Sequence, residues 1–143
     1  MYLSRLHISK FRVFDDITLY FKNGINILIG ENNSGKTAII DALRICLGCG
    51  KPDNFIYVQD GDLHVNPENP SEINTVIQFD LIFEFGDASI ERECFYDFIS
   101  QDKDNPDKQT IQLHLKFIQE NNGKKKYFKR IISVSYTHLR ANE

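Results

Sequence analysis

Apolar and polar residues alternate over 2–10 and again over 17–22. A period of two residues is typical of a strand with one buried face. The sequence therefore predicts two strands at the N-terminus, followed by a turn at Asn23-Gly24.

The next apolar run, residues 25–29, has almost no polar position, which indicates a strand buried on both faces. A glycine-bearing loop follows it. Residues 36–47 then carry apolar side chains at helical spacing, and Gly48 supplies a stop signal. The predicted order is strand, turn, strand, loop, helix.

Residues 49–74 are rich in proline, asparagine, aspartate and glycine, so they are predicted to form a long irregular connection. Within it, residues 55–58 fit either a short strand or a turn. Regular alternation returns at residues 75–85, the clearest half-buried strand in the chain.

The last third combines a short helix with a hairpin. Residues 88–100 are predicted as a short amphipathic helix, followed by a polar loop. Residues 111–117 and 127–134 alternate around Asn122-Gly123, which predicts a β-hairpin. Residues 135–143 continue no pattern and resemble translated sequencing-adapter read-through, so we expect a non-native tail.

Bulk properties narrow the class of protein. Of 143 residues, 41% are hydrophobic and 26% charged, which is typical of one globular core. No apolar run reaches the ~18 residues that span a bilayer, and the start lacks the layout of a signal peptide. We therefore expect a cytoplasmic protein with no membrane partner.

The formal charge of −3 does not indicate a polyanion partner for the chain as a whole, so any contact with nucleic acid must be local or lie outside this chain. Three cysteines are too few for a disulfide framework, which favours reduced thiols.

One motif carries chemistry. It fits the pattern G-x-x-x-x-G-K-[ST], and its residues are Gly30, Glu31, Asn32, Asn33, Ser34, Gly35, Lys36 and Thr37. Eight-residue matches occur by chance, but here an apolar run leads into the loop and an amphipathic helix leads out. That context favours a phosphate-binding loop, with Ala38 continuing the binding segment.

Each fixed position of the loop answers a physical demand. Gly30 and Gly35 are expected to adopt backbone angles closed to other residues, so that successive N–H groups point at a phosphate. The helix that follows directs its positive end at the same anion. Lys36 would reach the β and γ phosphates of ATP, and the Thr37 hydroxyl would bind Mg²⁺.

A family resemblance extends beyond the loop. Residues 6–12 and 29–43 resemble the start of ABC-type ATPases of chromosome maintenance and repair. Together with the acidic segment 60–64, they resemble most closely the OLD-family ATP-dependent endonucleases. The resemblance covers about residues 1–100.

The resemblance implies an α/β fold of the P-loop NTPase, ABC-ATPase-like kind. We expect a mixed sheet with the P-loop strand at its centre, one helix packed beneath it, and an antiparallel β subdomain. Residues 1–134 would be the N-terminal part of such an ATPase domain, which is therefore truncated.

The resemblance also implies site residues and partners. Arg12 would lie near the nucleotide phosphates, although a solvated cation at a strand end explains it equally well. Asn33 would orient the loop or the γ phosphate, and a structural role in the turn explains it equally well. The full-length protein would bind ATP and Mg²⁺, form a head-to-head homodimer around two nucleotides, and meet DNA mainly through a downstream nuclease domain.

The catalytic residues are unknown. No Walker B pair or signature motif is recognisable in these residues, and Glu84 does not follow the expected Asp-Glu pattern. We therefore expect the chain alone to bind ATP weakly and not to hydrolyse it.

Two other functions stay open. The parent protein could be a repair clamp that uses nucleotide only to open and close a dimer, without nuclease activity. Alternatively, the chain could be a stand-alone nucleotide sensor. A downstream acidic nuclease cluster would favour the endonuclease, and a long heptad coiled coil the clamp.

Lesser signals favour simple explanations. Cys46 and Cys49 form a C-x-x-C without a second pair, so packing explains them better than zinc. The four histidines share no ligand spacing, and Asp60 and Asp62 are expected to be loop caps.

A cluster of basic residues lies around the predicted hairpin turn: Lys124, Lys125, Lys126, Lys129 and Arg130. It could contact a DNA backbone, but a solvated turn is the simpler interpretation.

Overall fold

The computed structural model describes residues 1–48, 57–86 and 89–135. Six strands form one sheet: β1 (Tyr2–Phe11), β2 (Phe14–Tyr20), β3 (Val76–Glu84), β4 (Ser100–Gln101), β5 (Gln109–Asn121) and β6 (Lys126–Val134). The order is β2-β1-β3-β5-β4, with β6 also paired to β5, and every described pairing is antiparallel.

Within the described ranges, two α-helices and two 3₁₀ helices accompany the sheet. They are α1 (Lys36–Leu47), α2 (Ser89–Cys94) and 3₁₀ turns at Asp60–Asp62 and Tyr96–Phe98. Among the described residues, no helix combines the length and apolar character that crossing a membrane requires.

The alternating segments are confirmed as strands. In β1, Leu6 and Ile8 are fully buried, while the intervening His7 is only partly so. The same alternation gives β3 and the hairpin of β5 and β6, in which Gly123 takes φ 84° in the turn. These elements form where predicted because period two places every second side chain on the core face.

One buried cluster joins the inner face of the sheet to α1. Phe79 of β3 lies at its centre and makes edge-to-face contacts with Phe11 at 5.1 Å and with Phe117 at 6.1 Å between ring centroids. The helix contributes Ala38, Ile39, Ala42, Ile45 and Cys46. Burying each large side chain contributes about 1.5–3 kcal/mol, so this cluster fixes α1 against the sheet.

The outer face of the sheet is polar. His7 of β1, Asp80 of β3 and His114 of β5 are neighbours across three strands. His7 Nδ1 lies 2.9 Å from one oxygen of Asp80, and His114 Nδ1 lies 2.6 Å from the other. Solvated side chains therefore cover the face that α1 leaves open.

The predicted strand over residues 25–29 is wrong. The segment has no strand conformation, and Ile25, Ile27 and Ile29 are 94%, 77% and 90% exposed. A strand buried on both faces needs elements packed above and below it, and the described residues do not cover this segment. The expected mixed sheet with a central P-loop strand is corrected accordingly, because the observed sheet is antiparallel throughout its described pairings and excludes that segment.

The predicted helix over residues 88–100 is shorter than expected. It ends at Cys94, Phe95 has non-helical angles, and a 3₁₀ turn follows. Ile90, expected on an apolar face, is 72% exposed. Three aromatic residues from Phe95 to Phe98 are weak helix formers, which helps to explain the early end.

Some predictions lie outside the described residues. Residues 55 and 56 of the undecided segment fall there, as do Cys49 and residues 136–143 of the suspected tail.

Candidate nucleotide-binding site

The loop before α1 turns through two left-handed residues. Gly35, the N-cap of α1, has φ 97° and ψ 7°, and Asn33 has φ 67°. The Ser34 amide donates to the Glu31 carbonyl at 3.2 Å, which closes the turn. Asn33 therefore has the turn-forming conformation that an asparagine tolerates, whatever else its side chain does.

The expectation for the two loop glycines holds for Gly35 only. Gly30 does not have a positive φ, so its absent side chain matters for a different reason. A Cβ at Gly30 would lie 2.6 Å from the Ser34 hydroxyl oxygen, because the loop folds back on itself there. The close approach of Ser34 therefore explains why residue 30 is a glycine.

The N-terminus of α1 is open to an anion. Its first backbone bond runs from the Ile39 amide to the Gly35 carbonyl at 3.0 Å, so the amides of residues 36–38 have no acceptor within the helix. No side chain caps this end, and no acidic residue lies in the first turn. The positive end of the helix is therefore not neutralised locally.

The Lys36 ammonium lies over the loop. It donates to the Gly30 carbonyl and, at 3.2 Å, to the Glu31 carbonyl. Residues 30–34 and Thr37 are exposed or partly exposed, so both the ammonium group and the hydroxyl belong to an accessible surface. The structure thus brings together the cation, the hydroxyl and the open helix end that the motif predicted.

The turn between β1 and β2 packs against Gly35 of the loop. The sequence pattern did not predict this contact. A Cβ at Gly35 would lie 2.4 Å from Phe14 Cζ and 3.0 Å from Val13 Cγ2. Gly35 is buried by these side chains. The only signal in the sequence is the short segment Phe11 to Phe14, which has the pattern of a strand end.

Arg12, at the tip of that turn, joins it to two other elements. Its Nη1 donates to Asp41 of α1 at 2.5 Å, and its Nε donates to Asp62 of the 3₁₀ turn at 2.9 Å. Partial burial alone would lower the pKa of Arg12, but the hydrogen bonds to Asp41 and then Asp62 raise it. Arg12 therefore lies beside the P-loop helix as an ion-paired cation, and its contact with phosphate stays a prediction.

Backbone hydrogen bonds hold Arg12 in place. Its amide donates to the Asp62 carbonyl at 2.7 Å, and its carbonyl accepts from His64 Nδ1 at 2.8 Å. Arg12 has φ 49°, a left-handed conformation that such external bonds stabilise. Asp62 is a cap, as predicted, since it accepts the Gln59 amide at 2.9 Å, but it also pairs with Arg12.

Glu84 lies at the other end of the sheet. It accepts a hydrogen bond from Tyr2 at 2.9 Å and pairs with Lys108. Burial alone would raise the pKa of Glu84, but the contacts with Lys108 and Tyr2 lower it. The length of β1, about 30 Å, separates Tyr2 from the turn beneath Gly35. Glu84 is thus a structural ion-pair partner, remote from the loop.

The described cysteine and histidine side chains do not form a metal site. Within the described ranges, no group of three His, Cys, Asp or Glu side chains is arranged to hold a metal ion. Cys46 is buried in the core cluster, while Cys94 is exposed.

Known proteins resemble a short segment of this chain. The DNA replication and repair protein RecF of Limosilactobacillus reuteri is 42% identical over 45 residues, which is 32% of this chain and 12% of that protein. The DNA double-strand break repair Rad50 ATPase of Thermoplasma volcanium is 40% identical over 47 residues, covering 33% of this chain and 5% of the relative. This chain thus matches only a small part of each relative's length.

This chain is also similar to a solved structure described as the structural biochemistry of ATP-driven dimerization and DNA stimulated activation of SMC ATPases. The match covers 95% of this chain and 73% of the solved chain, at 12% identity and a TM-score of 0.47. These values are too low to define a shared fold in detail.

A family model described as an AAA domain matches residues 5–141, nearly the whole chain. Its span includes the glycine-bearing loop over residues 30–37, α1 and the antiparallel sheet. The chain therefore belongs to the AAA domain family of P-loop ATPases.

Proposed function

We propose that this chain is the ATP-binding N-terminal part of a larger ATPase that acts in DNA repair or chromosome maintenance. The observation that carries the proposal is the exposed loop ending at a left-handed Gly35, with an uncapped helix end and one lysine beside it. Membership of the AAA domain family and the names of the two repair proteins support it.

The loop residues fit a triphosphate with Mg²⁺. The free amides at the start of α1 would bind phosphate oxygens, and Lys36 would exchange its two carbonyl acceptors for the β and γ phosphates. The Thr37 hydroxyl belongs to the accessible surface and would be a ligand of Mg²⁺. The metal ion would neutralise phosphate charge at this position.

Hydrolysis would depend on groups that are not found near the loop among the described residues. A water molecule needs a carboxylate or similar group to orient it for attack, and Glu84 is too distant. The chain alone is therefore expected to bind nucleotide without turnover. In the full-length protein, a head-to-head homodimer would complete the site.

The repair ATPase without nuclease activity is the better-supported parent. RecF is a DNA replication and repair protein, and Rad50 is a DNA double-strand break repair ATPase. The OLD-family endonuclease stays a more specific prediction, which requires a metal-dependent nuclease domain elsewhere in the full-length protein. Contact with DNA by the parent protein belongs to both proposals.

Isothermal titration calorimetry with MgATP tests the nucleotide site. Lys36→Ala should abolish measurable binding, because it removes the loop's only lysine, whereas Lys103→Ala, an exposed lysine in the loop before β5, should leave affinity unchanged. Equal affinity of the wild type and Lys36→Ala would refute the proposed site.

A further inference from the structure

The hairpin of β5 and β6 extends beyond the rest of the sheet. Strand β3 pairs with β5 only as far as Ile118, whereas β6 stays paired with β5 to Asn121. The Gln119 amide still donates to the Thr75 carbonyl at 2.8 Å, so beyond Gln119 the hairpin is a two-stranded ribbon, which we call the distal ribbon (residues 120–127). Its side chains are mostly exposed.

The ribbon and its base carry a strong local excess of positive charge. Six basic side chains and one acidic side chain lie between residues 116 and 130, in a chain with a net charge of −3. The one acidic residue, Glu120, accepts a hydrogen bond from Tyr127 at 2.6 Å. Five lysines have no ion-pair partner within the described part of the chain: Lys116, Lys124, Lys125, Lys126 and Lys129.

The lysines extend along both faces of the hairpin. Lys116 lies opposite Ile131, and Lys129 lies opposite Ile118, so Lys116 and Lys129 are diagonal neighbours on one face, whereas Lys126, opposite Asn121, lies on the other face. The strand from Lys116 to Asn121 is about 17 Å long. The charges thus extend from the sheet to the turn.

The simpler interpretation, a solvated turn, does not account for the lysine side chains. The turn is built from backbone amides that donate to Asn122 Oδ1, at 3.2 Å from Lys124 and 2.9 Å from Lys125. The lysine side chains are not needed for it. Lysines on an edge strand can prevent aggregation, but Lys124 and Lys125 lie in the turn, where there is no edge to protect.

We propose that this basic hairpin binds the phosphate backbone of duplex DNA. The proposal rests on the proposed function, which makes DNA the expected polyanion. A duplex presents one negative charge per ~1.7 Å of axis, so lysines spread over about 17 Å of hairpin meet several phosphates at once. A two-stranded ribbon also has the width that a major groove admits. Binding would be independent of base sequence, since lysines on phosphates position a duplex without reading it.

Fluorescence anisotropy with a labelled duplex of about 20 base pairs at low salt tests the proposal. The variant Lys124→Gln with Lys125→Gln keeps the backbone bonds of the turn and removes two charges. We expect affinity to fall about tenfold, and the slope of log K against log salt to decrease by about 1.8. The matched control, Lys22→Gln with Lys103→Gln, removes two exposed lysines elsewhere and should bind DNA like the wild type.

Other outcomes separate the alternatives. If the hairpin variant and the control lose affinity equally, or neither loses any, the proposal is overturned. Tighter binding to phosphatidylserine vesicles than to the duplex would overturn it in favour of a membrane surface. MgATP calorimetry on the same variants distinguishes the two proposals. Loss of DNA binding with unchanged ATP affinity supports DNA binding by the hairpin. Absence of ATP binding by the wild type refutes only the nucleotide site.

Discussion

Gly35 is the residue whose conformation and surroundings both exclude a side chain. Its φ of 97° is left-handed, and Phe14 occupies the space where a Cβ would lie. By contrast, Gly61 in the 3₁₀ turn has no positive φ, and no atom beyond its own local backbone and chain neighbours lies within 4 Å of the point that a Cβ would occupy. Substitution of the two glycines by alanine therefore has different consequences.

Gly35→Ala should destabilise the fold by about 2–4 kcal/mol, because backbone strain adds to the clash with Phe14. Gly61→Ala should change the free energy of unfolding by less than about 0.5 kcal/mol. Urea denaturation measures both. Adding Phe14→Ala to Gly35→Ala should remove the clash but not the backbone strain. Equal stability of the Gly35→Ala and Gly61→Ala variants would contradict the packing of Phe14 against Gly35.

At the scale of elements, charged side chains connect segments that are far apart in sequence. Arg12 joins the β1–β2 turn to α1 through Asp41 and to the 3₁₀ turn through Asp62. On the outer face of the sheet, His7 lies between Asp16 of β2 and Asp80 of β3, with Nε2 3.0 Å and Nδ1 2.9 Å from their carboxylates. The His7 contacts depend on strand register, so they report on whether the sheet has formed.

The His7 contacts predict how stability depends on pH. Partial burial alone would lower the pKa of His7, but hydrogen bonds to Asp80 and Asp16 raise it above 6.5. Protonated His7 therefore stabilises the fold below about pH 6.5, and this contribution is lost as pH rises through the raised pKa. Burial would raise the pKa of Asp80, but hydrogen bonds from His114, His7 and Gln78 lower it, so its contribution is present above about pH 3.8 and lost as pH falls through the lowered value.

Together these shifts make the cluster most stabilising between about pH 4 and 6.5. From about pH 6 to 8 the wild type should lose on the order of 1 kcal/mol or less, because His7 is partly solvated. Urea titrations across this range should show a flatter profile for His7→Asn and an intermediate one for Asp16→Asn, which keeps the Asp80 bond. Parallel profiles for the wild type and His7→Asn would show that His7 is not the titrating group.

At the scale of the whole molecule, an apolar segment next to the proposed nucleotide site is exposed. Ile25, Ile27 and Ile29 are largely exposed, and the matched relatives are many times longer than the aligned region. Contiguous exposed apolar surface favours association, so the isolated chain should self-associate through this segment.

Ile29→Lys should therefore weaken self-association about tenfold or more, since burying one isoleucine contributes about 1.5–3 kcal/mol. Ile73→Lys is a matched control, because Ile73 is 83% exposed and lies outside the segment, compared with 90% for Ile29. Sedimentation velocity over a range of concentrations measures the effect. Identical behaviour of the two variants would show that the segment is not the contact.

Local features of this protein follow from the order of its amino acids alone. Alternation specified β1, β3 and the β5–β6 hairpin, and the loop motif specified where α1 begins, because periods of two and 3.6 residues and the needs of a phosphate loop are encoded in neighbouring residues. Which elements meet is a property of the complete fold. The fold placed Phe14 beneath Gly35 and Arg12 between two carboxylates, and it left residues 25–29 without a partner strand among the described residues. An apolar run indicates that a segment can be buried, but which elements cover it depends on surfaces elsewhere in the molecule.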